Sequence, residues 1–174
     1  LEEEERRAIE MRRTSLAPAA PFLMLPLETT RADQLSAGTR FAEVLGVPKS
    51  RRFRDHPNCS KRGERIRVGF LSADYCRHAT AMLLAEVIEK ADRERFEFVG
   101  YCFSQDDGGE LRARIKTAFD RFVEIRGMGD EEAAKTIHDD GIDILVDLKG
   151  YTLDARTAIL AMKPFAGGAI TDAA

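Results

Sequence analysis

From Arg65 onward the amino-acid sequence predicts an α/β fold built on a parallel sheet, and three observations carry that prediction. Four short stretches rich in β-branched and aromatic residues recur along the chain: Ile66 to Ser72, Phe96 to Phe103, Arg121 to Ile125 and Ile142 to Leu148. Between them, apolar residues fall at the spacing of one helix face. Each helical interval is long enough to carry the chain back over the sheet, so the strands run parallel with right-handed crossovers.

Taken in order, the elements begin with LEEEERRAIEMRR. Here Glu2 and Glu3 precede Arg6 and Arg7 by four residues, the favourable order for ion pairs on a solvated helix. That helix ends before the break between Pro18 and Pro21. After PFLMLPL, residues 31–45 read as a second helix with Leu35, Phe41 and Leu45 inward, and VPKSRRFRDHPNCSKRGER reads as a polar surface linker. Residues 1–64 are thus a helical lead-in and linker, and residues 65–174 the α/β unit. Within that unit one helix is expected to bury Leu83, Leu84, Val87, Ile88 and Ala91, and the next Leu111, Ile115, Ala118 and Phe119. A third buries Ala133, Ala134 and Ile137, with Asp130 as its N-cap and Gly141 just past its end. A fourth runs from about Asp154 to Met162 and stops before Pro164.

Composition bounds the function. A chain of 174 residues with 44% apolar positions can bury one core plus an appendage. Its 27 Lys and Arg against 30 Asp and Glu, with the signs interspersed, lack the electrostatic footprint of a nucleic-acid binder. No apolar run approaches the roughly 20 residues of a membrane span, and the acidic start is not a signal peptide. Cys59, Cys76 and Cys102 are too few and too irregular for a secreted disulfide framework. Free thiols in a reducing, cytoplasmic setting are expected. A chain that opens on Leu1 is expected to continue N-terminally in its parent protein.

In a parallel sheet, ligands gather beyond the carboxyl ends of the strands. The loops that matter are therefore SADYCRHAT, SQDDGGE, RGMGD and KGYTLD. The first has no G-x-G-x-x-G, and the chain has no G-x-x-x-x-G-K-[ST], which disfavours a dinucleotide or P-loop cradle. It carries His78 at the start of the following helix, where the positive end of the helix dipole favours a neutral ring able to accept a proton or hydrogen-bond a hydroxyl. His138, on a helix surface, is the weaker histidine. His56-x-x-Cys59 and Cys76-x-His78 lack a second ligand pair, so no metal or cofactor site is expected. Asp106 and Asp107, beside two glycines, read as turn formers. Two other readings stay open: a receiver-like signalling domain using Asp74, Asp147 and Lys149, and a non-catalytic protein-interaction module. The first wants adjacent carboxylates after the first strand to hold Mg²⁺, where SADYC offers one.

RIRVGFLSADYCRHATAMLL, FEFVGYCFSQDDGGELRARI and DGIDILVDLKGYTLDAR followed by ILAMKP resemble, in order and spacing, the N-terminal half of the catalytic region of the O-linked N-acetylglucosamine transferases, including Spindly-type members. The resemblance covers about Arg65 to Pro164 and, more loosely, PFLMLPL. It implies a Rossmann-like three-layer parallel sheet, one half of a GT-B glycosyltransferase, in a protein that also carries tetratricopeptide repeats. It further implies inverting, metal-free transfer of N-acetylglucosamine from UDP-GlcNAc to Ser or Thr hydroxyls of protein acceptors; some related members transfer fucose. By the same resemblance His78 matches the histidine of an S-x-D-x-x-x-H block near the sugar, a candidate proton acceptor. Lys149, Gly150, Tyr151 and Thr152 match the G-Y-T loop beside the acceptor. The UDP-binding half that follows in the family is not expected within these 174 residues, so the isolated chain is expected to be inactive.

Overall fold

The computed structural model describes Glu3, residues 21–26 and 28–167, and the backbone of 169–171. Apart from Glu3, the helix expected at 1–13 lies outside the described residues. The strands are β1 (Ile66–Ser72), β2 (Phe96–Cys102), β3 (Arg121–Glu124), β4 (Ile144–Asp147) and β5 (Ala169–Thr171). They form one parallel sheet in the order β3-β2-β1-β4-β5, with Val68 opposite both Phe98 and Ile144. The helices are α1 (Arg31–Val44), α2 (Ala79–Glu89), α3 (Glu110–Ala118), α4 (Asp130–Asp139) and α5 (Thr157–Ala161). The first four strands fall where β-branched and aromatic residues concentrate. β5 was not anticipated, because AIT is too short to stand out.

Alternation along the strands divides the core. On one face Leu71, Val99, Tyr101 and Leu145 pack with Ala133, Ala134 and Ile137 of α4 and Ile159 of α5. On the other, Val68, Phe98 and Cys102 pack with Ala81, Leu84, Ala85 and Ile88 of α2, Ile115 of α3, and Tyr75. Each fully buried Leu or Ile contributes about 1.5–3 kcal/mol. This is the expected three-layer α/β arrangement. Its strand order, 3-2-1-4-5, is that of a Rossmann-type doubly wound sheet, whereas receiver domains run 2-1-3-4-5, so the receiver-like reading is overturned.

Several local expectations are corrected. In α2 the stripe facing the sheet is Ala81, Leu84, Ala85 and Ile88, while Leu83 and Val87 are 75% and 63% exposed. The helix has two adjacent apolar stripes and only one meets the sheet. Helix α1 buries no residue, and Leu35 points to solvent. What defines α1 is its capping box, in which Thr30 and Asp33 satisfy each other's backbone N–H groups. Gly129, not Asp130, caps α4, leaving the Asp130 carboxylate to Arg156 at 2.7 Å. Helix α5 starts at Thr157 rather than Asp154, whose φ of +62° is left-handed and cannot open a right-handed helix.

The stretch 47–64, expected as a surface linker, lies on the surface and is docked as a strap. Phe53 N–H donates to Met162 O (2.9 Å), Ser60 N–H to Asp143 (2.9 Å) and Asn58 Nδ2 to Asp139 O (3.2 Å). Gly141, past the end of α4 as expected, has φ +68°, and a Cβ there would lie 2.1 Å from Asn58 O. The glycine both ends the helix and admits the strap.

Candidate functional site

The strand order reverses between β1 and β4, and this switch point is where an open parallel sheet forms a crevice. The two strands end alike. Ser72 Oγ accepts the N–H of Asp74 (2.9 Å), and Asp147 Oδ1 accepts the N–H of Lys149 (3.0 Å). Each side chain folds the chain back two residues on, while Leu148 N–H donates to Leu71 O (3.0 Å) and keeps the loops adjacent. Asp74 and Lys149 meet across the crevice with Nζ 3.4 Å from both carboxylate oxygens, each side chain only 15% exposed.

His78 stands four residues beyond Asp74 and is the N-cap of α2, with extended backbone (φ −135°, ψ 152°). Its Nδ1 accepts the N–H of Thr80 at 3.2 Å and lies 3.1 Å from the Thr80 hydroxyl. A backbone N–H can only donate, so Nδ1 carries the lone pair. The neutral ring is therefore assigned its proton on Nε2, and it presents a donor to whatever approaches that nitrogen. Asp74 Oδ2 lies 4.0 Å from Nδ1.

The Lys149–Thr152 segment divides its labour. Thr152 donates its N–H (3.1 Å) and its hydroxyl (2.8 Å) to Lys149 O, closing the loop. Gly150 supplies the left-handed residue the turn requires, at φ +54°. The Tyr151 ring packs edge-on against Phe41 of α1, with centroids 5.4 Å apart, and its hydroxyl nears Gly38. Tyr151 also lines a groove of about 510 Å³ together with Phe22, Leu25, Arg31 and Leu35. Of the four residues, Lys149 makes the ion pair with the His78 turn, through Asp74.

The other expected groups are placed elsewhere or do structural work. His138 lies toward the amino end of the sheet, stacked on Phe53 at 4.2 Å, with Nε2 2.8 Å from Asp55 O. Asp106 and Asp107 accept the N–H groups of Gly108 and Gly109, as turn formers do. Burial, reinforced by Asp107 and Asp74, pushes the Cys76 thiol up and keeps it protonated. Burial also holds Tyr75 neutral, donating to Phe70 O at 2.8 Å. Among the described residues no group of three His, Cys, Asp or Glu is placed to hold a metal ion, and no helix is long and apolar enough to cross a membrane.

Two arginines, one buried and one half-buried, were missed by sequence reasoning. Arg112, 2% exposed, lies on the inner face of α3 three residues before Ile115. Arg156 donates to Asp130 (2.7 Å), Ile125 O (3.0 Å) and Met128 O (2.8 Å), fixing the loop after β3. The one available signal was a charge inside a helical apolar stripe, and it applies to Arg112 alone.

The chain is similar in sequence and in fold to known proteins. A UDP-N-acetylglucosamine–peptide N-acetylglucosaminyltransferase of Caenorhabditis elegans is 35% identical over 103 residues, 59% of this chain and 9% of its own. The probable enzyme of that name designated SEC in Arabidopsis thaliana is 37% identical over 101 residues, 58% of this chain and 10% of its own. The chain thus spans about a tenth of the length of these curated relatives. The solved O-GlcNAc transferase of Thermobaculum terrenum superposes with a TM-score of 0.70 at 22% identity, over 98% of this chain and 33% of that one, which shows the shared fold. Residues 22–168 match the family description itself, so the chain belongs to glycosyl transferase family 41.

Proposed function

We propose that this chain forms the acceptor-side wall of a protein O-GlcNAc transferase, whose complete form moves N-acetylglucosamine from UDP-GlcNAc to Ser or Thr hydroxyls of proteins. The observation that carries the reading is the Asp74–Lys149 contact, which ties the His78 turn and the KGYT loop into one rim at the switch point. In an inverting transfer the acceptor oxygen bonds to the anomeric carbon as the bond to the diphosphate breaks on the opposite face. The acceptor hydroxyl gives up its proton in the same process. The diphosphate needs positive partners, and these are assigned to the rest of the complete protein.

On this reading His78 touches the reacting region through Nε2. In the capped tautomer it donates a hydrogen bond to a sugar or acceptor oxygen. Taking the acceptor proton at Nε2 requires the other tautomer, with Nδ1–H turned from Thr80 toward Asp74. Lys149 keeps Asp74 in place for either role. The acceptor is a polypeptide, and Tyr151 with the Phe22–Leu35 groove lies beside its path.

The test is to incubate the complete protein and an acceptor polypeptide with either labelled UDP-GlcNAc or a nucleotide-activated fucose. Label is expected from UDP-GlcNAc alone. Transfer of fucose instead, or of neither sugar, overturns the assignment. The isolated 174-residue chain is expected to show no turnover and no micromolar binding of UDP-GlcNAc in calorimetry; such binding would place the donor site within this wall.

A further inference from the structure

Arg112 joins the loops that follow three strands. Its guanidinium donates to Tyr75 O after β1 (3.1 Å) and Ser104 Oγ after β2 (3.0 Å), and it lies 3.4 Å from Glu124 at the end of β3. It also lies 3.0 Å from Asp106 Oδ1, so the SQDDGGE loop is anchored from beneath. Asp106 spends an oxygen on Gly108 N–H (2.8 Å), and Asp107 Oδ1 takes Gly109 N–H (3.0 Å). The second oxygen of Asp107 reaches out of its own loop. It accepts the N–H of Arg77 at 3.2 Å, from the residue immediately before His78.

We propose that Asp107 is a positioning residue for His78: by fixing the Arg77 peptide it fixes the backbone from which the imidazole caps α2. The His78 ring can reach Thr80 N–H only while its own φ and ψ stay extended, and His78 N–H is already turned back onto Cys76 O at 2.7 Å. The Cys76–Arg77 peptide is thereby held at both ends, its N–H by Asp107 and its carbonyl by His78 N–H. Asp107 is exposed and contributes nothing to the core, so its removal leaves the sheet intact. Arg112 acts one step further back, holding the loop that presents Asp107. The positioning stands on this geometry alone; its consequence for turnover rests on the role of His78 proposed above.

The test is hydrogen exchange of individual amides in the 174-residue chain. Asp107→Ala is expected to accelerate exchange at Arg77 and Thr80 by at least about tenfold, while amides inside β1 and β2 stay within about twofold. Asp107→Asn, which keeps one carbonyl acceptor, is expected to give a smaller acceleration at Thr80. Unchanged exchange at Thr80 in Asp107→Ala overturns the proposal, as does equal acceleration throughout the sheet. In the complete transferase, Asp107→Ala should lower kcat with the donor KM unchanged and should add little to His78→Ala. Faster exchange at Thr80 with an unaltered kcat keeps the positioning and removes the role of His78.

Discussion

The Lys149 ammonium lies 3.4 Å from both carboxylate oxygens of Asp74, although the two residues follow different strands and stand far apart in sequence. Both side chains are mostly withdrawn from water, so each is the other's nearby polar partner. Removing one partner leaves the other poorly solvated. Lys149→Met is expected to cost about 1–3 kcal/mol of unfolding free energy, and Asp74→Asn a similar amount. The double variant should recover part of the sum. Chemical denaturation of all four chains checks this, and strict additivity would mean that the pair contributes nothing.

Gly150 occupies the left-handed region at φ +54° in the turn that presents Lys149. An L-residue with a Cβ pays about 1–2 kcal/mol there, and asparagine pays less than alanine. The expected order of melting temperature is therefore wild type, then Gly150→Asn, then Gly150→Ala. Equal values for the two variants would show that backbone strain does not set the cost.

The strap across the amino end of the sheet carries a pH dependence. Burial, and secondarily the neighbouring His138 imidazole, hold His56 below its usual pKa, against a raising influence from Asp55. The ring centroids of His56 and His138 are 5.3 Å apart, and Lys135, Asp139 and Met162 surround the Phe53–His138 side of the strap. A histidine whose folded pKa is depressed binds its proton more readily in the unfolded chain. Its neutral form therefore supports the fold fully above the unfolded value near 6.5, and that support is lost as pH falls through the lower folded value. His56→Gln should flatten the melting temperature between about pH 7 and 5 relative to wild type. The effect is modest because His56 is half exposed, but a steeper fall in the variant would reverse the assignment.

The fold was legible because its strands are chemically distinct from what lies between them. Ile66–Ser72 carries enough β-branched and aromatic side chains to be read directly, and Ala133, Ala134 and Ile137 mark the inner face of α4. What escaped depended on long-range choices. Leu83 and Leu84 are equally apolar, and only packing against β1 and β2 decides that Leu84 goes inward. The role of the strap rests on backbone groups of Phe53, Asp55 and Ser60, which composition does not reveal. In the site, His78 was visible as a histidine in a βα turn, and the loops were visible as strand ends. The Asp74–Lys149 contact was not, since it follows from β4 lying beside β1, a matter of strand order.

The last prediction separates two duties of His78. As N-cap of α2, its ring satisfies Thr80 N–H, and losing a side-chain cap costs about 0.5–2 kcal/mol. As a positioned acid–base or hydrogen-bonding group in the complete transferase, it should contribute a factor of about 10²–10⁴ in turnover. His78→Ala removes both, so its melting temperature and its turnover should fall together. His78→Asn restores a good cap without the imidazole; its melting temperature should return close to wild type while turnover stays low. His138→Ala is the converse control. It loses the stacking on Phe53 and the bond to Asp55 O, so it should loosen the strap and keep near-normal turnover in the folded fraction. Turnover and melting temperature for the three variants decide the matter: if His78→Asn recovers stability and activity alike, His78 is a helix cap and nothing more.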